Sequence, residues 1–279
     1  MSNLGEDRVD LLVRARSALL DALDALEAHR ASVVVIGAQA IYLRTAAAPV
    51  ALAEATNDSD LVIDPRLLDD DPRIEAAMER GGFHRNLASG QPGEWMSAAG
   101  IPVDLMVPER LAGGGKRTSR GARIPPHDKH ATRRARGLEA AVIDNDLMEV
   151  GSLAADDGRR PEVRIAGTAA LLLAKAHKIG ERAMTSPSRL VDKDAHDVYR
   201  ILVGTETEPL ALTFRRLLDD GLSAESTTEA QQYLRRLFAA GPEATGSLMA
   251  GRAEEGIGEP ITVSRQTSIL AADLLEALE

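Results

Sequence analysis

The stretch Ala55-Thr56-Asn57-Asp58-Ser59-Asp60-Leu61-Val62-Ile63-Asp64 decides how this chain is read. Its second half is apolar and β-branched, as a strand requires. Residues i and i+2 of a strand share a face, so Asp58 and Asp60 stand side by side where a strand over 58–63 begins. Neighbouring carboxylates raise each other's pKa unless a cation lies between them. A hard divalent ion such as Mg²⁺ is the usual partner for such oxygen donors. Asn57-Asp58-Ser59 is also good turn chemistry, so the decapeptide alone leaves both readings open.

Three further segments bear on it. Upstream, Ser32-Val33-Val34-Val35-Ile36-Gly37-Ala38-Gln39-Ala40 reads as a buried strand ending at a glycine that opens a helix. Helix N–H groups behind such a glycine can hold phosphate, although a plain strand-to-helix turn has the same sequence. Downstream, Ile101-Pro102-Val103-Asp104-Leu105-Met106-Val107 is an apolar strand with one carboxylate inside it. A lone aspartate there is costly unless paired or bound to a metal. Later, Lys193-Asp194-Ala195-His196-Asp197 follows a helix carrying Lys175, Lys178 and Arg182.

In this order the four segments resemble the nucleotidyltransferase fold of the DNA polymerase β type, and within it the AbiEii and MenT group of toxin-like nucleotidyltransferases. In that pattern a strand–Gly–helix precedes a Thr-x-Asp-x-Asp strand. A third carboxylate sits on a neighbouring strand, and a Lys/Arg-Asp-x-x-Asp helix follows a Lys-bearing one. The resemblance covers residues 30–205 or so. The chain departs from it at Ala38, where the family often has Gly or Ser, and at Glu54, where it often has Arg.

The resemblance implies an α+β fold: a mixed β-sheet core flanked by helices over 1–166, then a helical domain over 167–279. It implies a Mg²⁺-dependent enzyme that moves a nucleoside monophosphate from a nucleoside triphosphate, such as ATP, to an acceptor hydroxyl. Asp58, Asp60 and Asp104 would hold two Mg²⁺ ions and carry the chemistry. Gly37, Ala38, Thr56, Lys175, Lys178, Arg182, Lys193 and Asp194 would bind the nucleotide. The implied acceptor is the 3′ end of tRNA, in a toxin–antitoxin or abortive-infection system with a cognate antitoxin as partner. A small-molecule, antibiotic-type nucleotidyltransferase and an inactive nucleotidyltransferase-like binding protein are the alternatives.

Composition sets limits on these readings. The chain has 279 residues, enough for one large domain or two modest ones. Only 3% of it is aromatic, so the core must be built from Ala, Leu, Val and Ile. A net charge of −10 argues against a wholly nucleic-acid-binding surface. Cysteine is absent, which excludes disulfides and fits a reducing compartment. The first residues are acidic and lack an apolar signal core, and no apolar run nears the ~20 residues of a bilayer span. A cytoplasmic location without membrane contact is the expectation.

Against that acidic background, residues 110–136 hold nine Lys/Arg and the single acid Asp128. Lys116, Arg117, Arg120, Arg123, Arg133 and Arg134 form an RNA-binding candidate there, or an ordinary solvated loop. Gly113-Gly114-Gly115-Lys116-Arg117 is not a P-loop, because that motif needs a further Gly upstream and Ser or Thr after the Lys.

Apolar periodicity predicts helices over 8–29, 38–47, 72–80, 169–183, 190–203, 208–219, 226–239 and 265–278. Strands are expected at 32–36, 58–63, 83–86, 94–97, 103–107, 139–144, 147–152 and 162–166. Lys175, Lys178 and Arg182 share a helix face that fits either a triphosphate or solvent, and Lys193 and Asp197 fit an i,i+4 pair.

Overall fold

The computed structural model describes residues 4–50, 58–114 and 120–279, with the backbone alone for 4–9. The chain divides into two compact units, one built on a sheet and one helical. The sheet unit holds residues 1–40, 55–136 and 145–166; the helical unit holds 41–54, 137–144 and 167–279. The architecture is therefore α+β, with a mixed open sheet and a helical C-terminal region.

In the sheet unit, α1 (Leu4–Ala25) leads to β1 (Val33–Ile36), and Gly37 starts α2 (Gly37–Arg44). There follow β2 (Ser59–Ile63), α3 (Ile74–Arg80), β3 (His84–Arg85), β4 (Glu94–Met96), β5 (Pro102–Pro108), β6 (Arg133–Ala135), β7 (Asn145–Glu149) and β8 (Glu162–Ala166). The sheet order is β3-β4-β5-β2-β1-β8-β7, with β6 pairing β5 off this path. β1 runs antiparallel to β2, and β2 runs parallel to β5.

One face of these strands is sealed by parity. Val33, Val35, Leu61, Ile63, Val103 and Leu105 are all fully buried. They share the core with Leu19, Leu20 and Leu23 of α1 and with Ile74 and Met78 of α3. Ser59, also on this parity, is buried and donates its hydroxyl to the Ala15 carbonyl of α1 at 3.0 Å. Arg16 interrupts the apolar stripe of α1 but is itself buried. Its guanidinium donates to Gln39 Oε1 and to the Gly151 carbonyl, each at 2.9 Å, so α1 is tied to α2 and to the end of β7. Burial pushes its pKa down.

Trp95, like Phe83, is an aromatic buried in this core, and it is fully buried. Its indole N–H donates to the Ala131 carbonyl at 2.9 Å, and the Arg85 guanidinium lies 5.5 Å from its ring centre. The Gly93 N–H donates to the His130 carbonyl at 2.9 Å. The segment before β6 is thus fixed to β4 by side chain and backbone.

The helical unit packs α4 (Thr168–Thr185), α5 (Asp192–Gly204), α6 (Thr207–Asp219), α7 (Ala224–Leu234, continued by a π-helical turn to Ala239), α8 (Thr245–Arg252) and α9 (Pro260–Ala277). Its core is aliphatic around Phe214 and Phe238, as the composition requires. Gly180 of α4 lets α7 approach closely: a Cβ there would lie 2.4 Å from the Tyr233 ring.

Two local expectations change. Residues 139–144 are not a strand; Glu139–Val142 form a 3₁₀ turn. Glu139 Oε2 accepts the Gly137 N–H at 3.0 Å, and Asp144 Oδ2 accepts the Ala170 N–H at 3.1 Å, capping α4. Such local side-chain bonds compete with a ladder. The short strand β6 and the helix α8 were not anticipated. Among the described residues, no helix is long and apolar enough to cross a membrane.

Candidate carboxylate site on the sheet

The register of three strands builds the site. Asp60 pairs with Ile36 of β1 on one side and with Asp104 of β5 on the other. Asp104 in turn pairs with Glu94 of β4. Residues paired across a ladder point to the same face, and neighbouring strands lie about 4.8 Å apart. Glu94, Asp104 and Asp60 therefore form a row across roughly 10 Å of one sheet face. Asp58 lies two residues before Asp60 on the same parity and is exposed. The register thus brings Asp104 onto the face that carries Asp60.

Gly37 sits at the end of the row. It has φ +69°, and a Cβ there would lie 2.1 Å from Asp60 Oδ2. Only glycine meets both conditions. The Asp60 carboxylate thus occupies the space beside the first residue of α2, where the positive helix end favours an anion. That space was expected to cradle phosphate on Gly37 and Ala38. Ala38 is buried. Thr56 lies outside the described residues.

Asp104 is half-buried and already has a cation. The Arg133 guanidinium donates to Asp104 Oδ2 at 2.6 Å. It also reaches Met106 Sδ at 3.2 Å and Gln91 Oε1 at 3.3 Å. Burial pushes the Asp104 carboxyl above the usual carboxylate range; Arg133 opposes this, while the charges of Glu94 and Asp58 add to it. Glu94 is held by Asn86 Nδ2 at 2.7 Å and by the Ser89 hydroxyl at 2.6 Å.

Among the described residues, no three acidic or imidazole side chains are gathered closely enough to hold a metal ion as they stand. The donor chemistry nevertheless suits a hard cation: carboxylate oxygens share one face, and Asp104 has its proton affinity raised by neighbouring negative charge. Asp58, Asp60 and Asp104 are the residues that would hold Mg²⁺.

Arg133, expected among the RNA-binding residues, faces the carboxylates, because β6 pairs Arg133 with Met106, two residues beyond Asp104. Arg134 is also committed, its guanidinium donating to the Ala112 and Gly113 carbonyls. Arg120 and Arg123 are exposed. Lys116 and Arg117 lie outside the described residues. Sequence reasoning missed Glu94 as a member of the row. Alternation marks Glu94-Trp95-Met96 as a strand, but only the β4–β5 register brings Glu94 to Asp104.

The cations expected at the nucleotide form a cluster within the helical unit. Lys175 and Lys178 each donate to Asp194 Oδ1 at 2.8 Å, and Arg182 donates to Asp194 Oδ2 at 3.1 Å. Lys175 Nζ also lies 2.7 Å from Asp197 Oδ2. Asp197, which spacing fits to an i,i+4 pair with Lys193, thus has Lys175 of the preceding helix as a partner. Burial works against the Lys175 charge, but Asp194 and Asp197 reverse it and hold the ammonium well above its usual range. Burial likewise disfavours the Asp194 carboxylate, yet Lys175 and Lys178 hold it well below the usual range.

No family model, curated protein or solved structure matches the chain.

Proposed function

We propose that the chain is a Mg²⁺-dependent nucleotidyltransferase. The observation that carries this reading is the in-register pairing of Asp60 with Asp104, with Asp58 on the same face. Two carboxylates brought together from distant parts of the sequence on one sheet face suit a divalent cation and a polyphosphate better than they suit packing. The order strand, glycine, helix, Asp-x-Asp strand and third carboxylate supports the same reading through the family pattern.

Bound Mg²⁺ would supply Lewis-acid stabilisation of phosphate oxygens. Asp58 and Asp60, at the start of β2, would hold it. Asp104 is suited to take the proton of the acceptor hydroxyl, because burial and its acidic neighbours raise its proton affinity. The hydroxyl oxygen then bonds to the α-phosphorus, and pyrophosphate leaves with the bonding pair. Glu94 holds the field negative around Asp104.

The acceptor we favour is the 3′ end of tRNA. Its support is the basic segment 110–136, where Arg120 and Arg123 remain exposed. A second reading is a nucleotidyltransferase-like binding protein without turnover, favoured by the hold of Arg133 on Asp104.

Incubation with α-labelled nucleoside triphosphates, Mg²⁺ and total RNA should label tRNA. Asp58→Asn should cut the rate at least about a hundredfold with its circular dichroism unchanged. Labelling of an aminoglycoside alone would instead mark a small-molecule enzyme. No turnover with any triphosphate and acceptor would select the binding protein. Paired Arg120→Glu and Arg123→Glu changes should weaken RNA binding and flatten its salt dependence by about two phosphate contacts. An unchanged slope would remove the segment from RNA recognition.

A further inference from the structure

We propose that the exposed ridge of α9 pairs with the same ridge of a second copy of this chain, the two helices lying antiparallel about Ile269.

The ridge follows from helical spacing. Residues four apart in a helix form one row along its surface, so Ile261, Arg265, Ile269 and Asp273 line up on α9. All four are exposed, Ile261 at 70% and Ile269 at 59%. The inward face of the same helix is buried through Val263, Thr267, Ala271 and Leu274. The helix is therefore anchored in its unit without the outward ridge.

One exposed isoleucine is ordinary on a protein surface. Two on one ridge, with a groove beside the second, form a patch of the kind that marks an interaction site. Leu202 and Val203 of α5 and Gln266, Ile269 and Leu270 of α9 line this groove of about 400 Å³. Its volume far exceeds the ~30 Å³ of one water molecule, so a side chain of another protein has room to enter.

Charge says what covers the patch. Arg265 and Asp273 stand four residues before and four after Ile269. Among the described residues neither has an ion pair or a side-chain hydrogen bond. The chain carries −10 overall, yet these two charges cancel, so two copies need not repel each other at the ridge. A two-fold interface sets residue i against residue j and j against i. An axis through Ile269 therefore places Arg265 of each copy against Asp273 of the other, and brings the two Ile269 side chains together. A parallel pairing would set arginine against arginine and aspartate against aspartate, which costs affinity. The 18-residue helix is about 27 Å long. An interface of that length lies at the small end of specific contacts, so the dimer is weak and reversible.

Sedimentation velocity of the whole chain at rising concentration should show a monomer–dimer equilibrium. Ile269→Asp should abolish the dimer while leaving the circular dichroism unchanged, because the position is exposed. Arg265→Asp or Asp273→Arg alone should raise the dimer dissociation constant about tenfold or more. The two changes together restore opposite charges in reversed order, and should recover most of the wild-type affinity. A chain that stays monomeric at every concentration overturns the proposal and leaves the ridge to a different protein. A dimer untouched by Ile269→Asp also overturns it, since the interface then lies elsewhere. Single reversals that weaken the dimer with no recovery in the double variant overturn the antiparallel pairing.

Discussion

On the sheet, Asp104 stands in a row with Asp60 and Glu94 and meets Arg133, whereas in the helical unit Asp194 and Asp197 meet Lys175, Lys178 and Arg182. The same residue types give opposite electrostatics. Asp194 is buried and held charged by an excess of cations. Asp104 is half-buried and pushed toward its neutral form by burial and its neighbours. A charge cluster that satisfies itself is accounted for by folding. On the sheet, folding instead works against the ionised form of Asp104. The contrast sets a buried, self-compensated cluster against the half-buried carboxylate at which the proposed chemistry would take place.

The comparison can be broken most sharply at Lys175. Its side chain is 10% exposed and bridges two buried carboxylates. Lys175→Met would leave Asp194 and Asp197 short of their central partner, and should cost about 3–5 kcal/mol in urea unfolding. Asp58→Asn, at an exposed position, should change stability by less than about 1 kcal/mol while abolishing turnover. If Lys175→Met were tolerated and Asp58→Asn unfolded the protein, the assignment of roles would be inverted.

Acid gives the next largest separation. The folded-state pKa of Asp194 lies below its unfolded value, so its stabilisation is fully present above about pH 4. It is lost as pH falls through the depressed folded value. Lys175→Met removes the first-named source of that depression. The stability gap between wild type and Lys175→Met should therefore narrow steadily below pH 4. A constant gap between pH 7 and pH 3 would show that the carboxylates are not what Lys175 stabilises.

Much of this contrast was visible in the sequence on one side and hidden on the other. The strands carrying Asp60 and Asp104 were legible because their apolar alternation leaves a single carboxylate out of pattern. Helical periodicity also placed Lys175, Lys178 and Arg182 on one face. Which acids they meet was not legible, because that depends on how α4 packs on α5. Spacing offers Lys193 to Asp197, whereas the contact with Lys175 depends on tertiary packing. The partner of Arg133 was hidden for a similar reason. Its place in a basic run suggests RNA, and nothing local reveals that three residues pair with β5 and turn it onto Asp104. Glu94 went unnoticed because register is a property of two strands, and the sequence specifies only one at a time.

The smallest expected effect is the most diagnostic. Asp104 has a folded-state pKa above its unfolded value, so the sign is opposite to that of Asp194. The ionised form is disfavoured by folding, and the penalty grows as pH rises above about 4 until the folded group has ionised. Asp104→Asn keeps an oxygen for Arg133 and removes the disfavoured charge. At pH 7 it should leave stability unchanged or raise it by less than about 1 kcal/mol, with any gain disappearing below pH 4. A loss of more than about 2 kcal/mol would mean that Asp104 and Arg133 form a structural ion pair. In that case Asp104 would serve the fold as Asp194 does, and the proposed metal site would lose its third carboxylate.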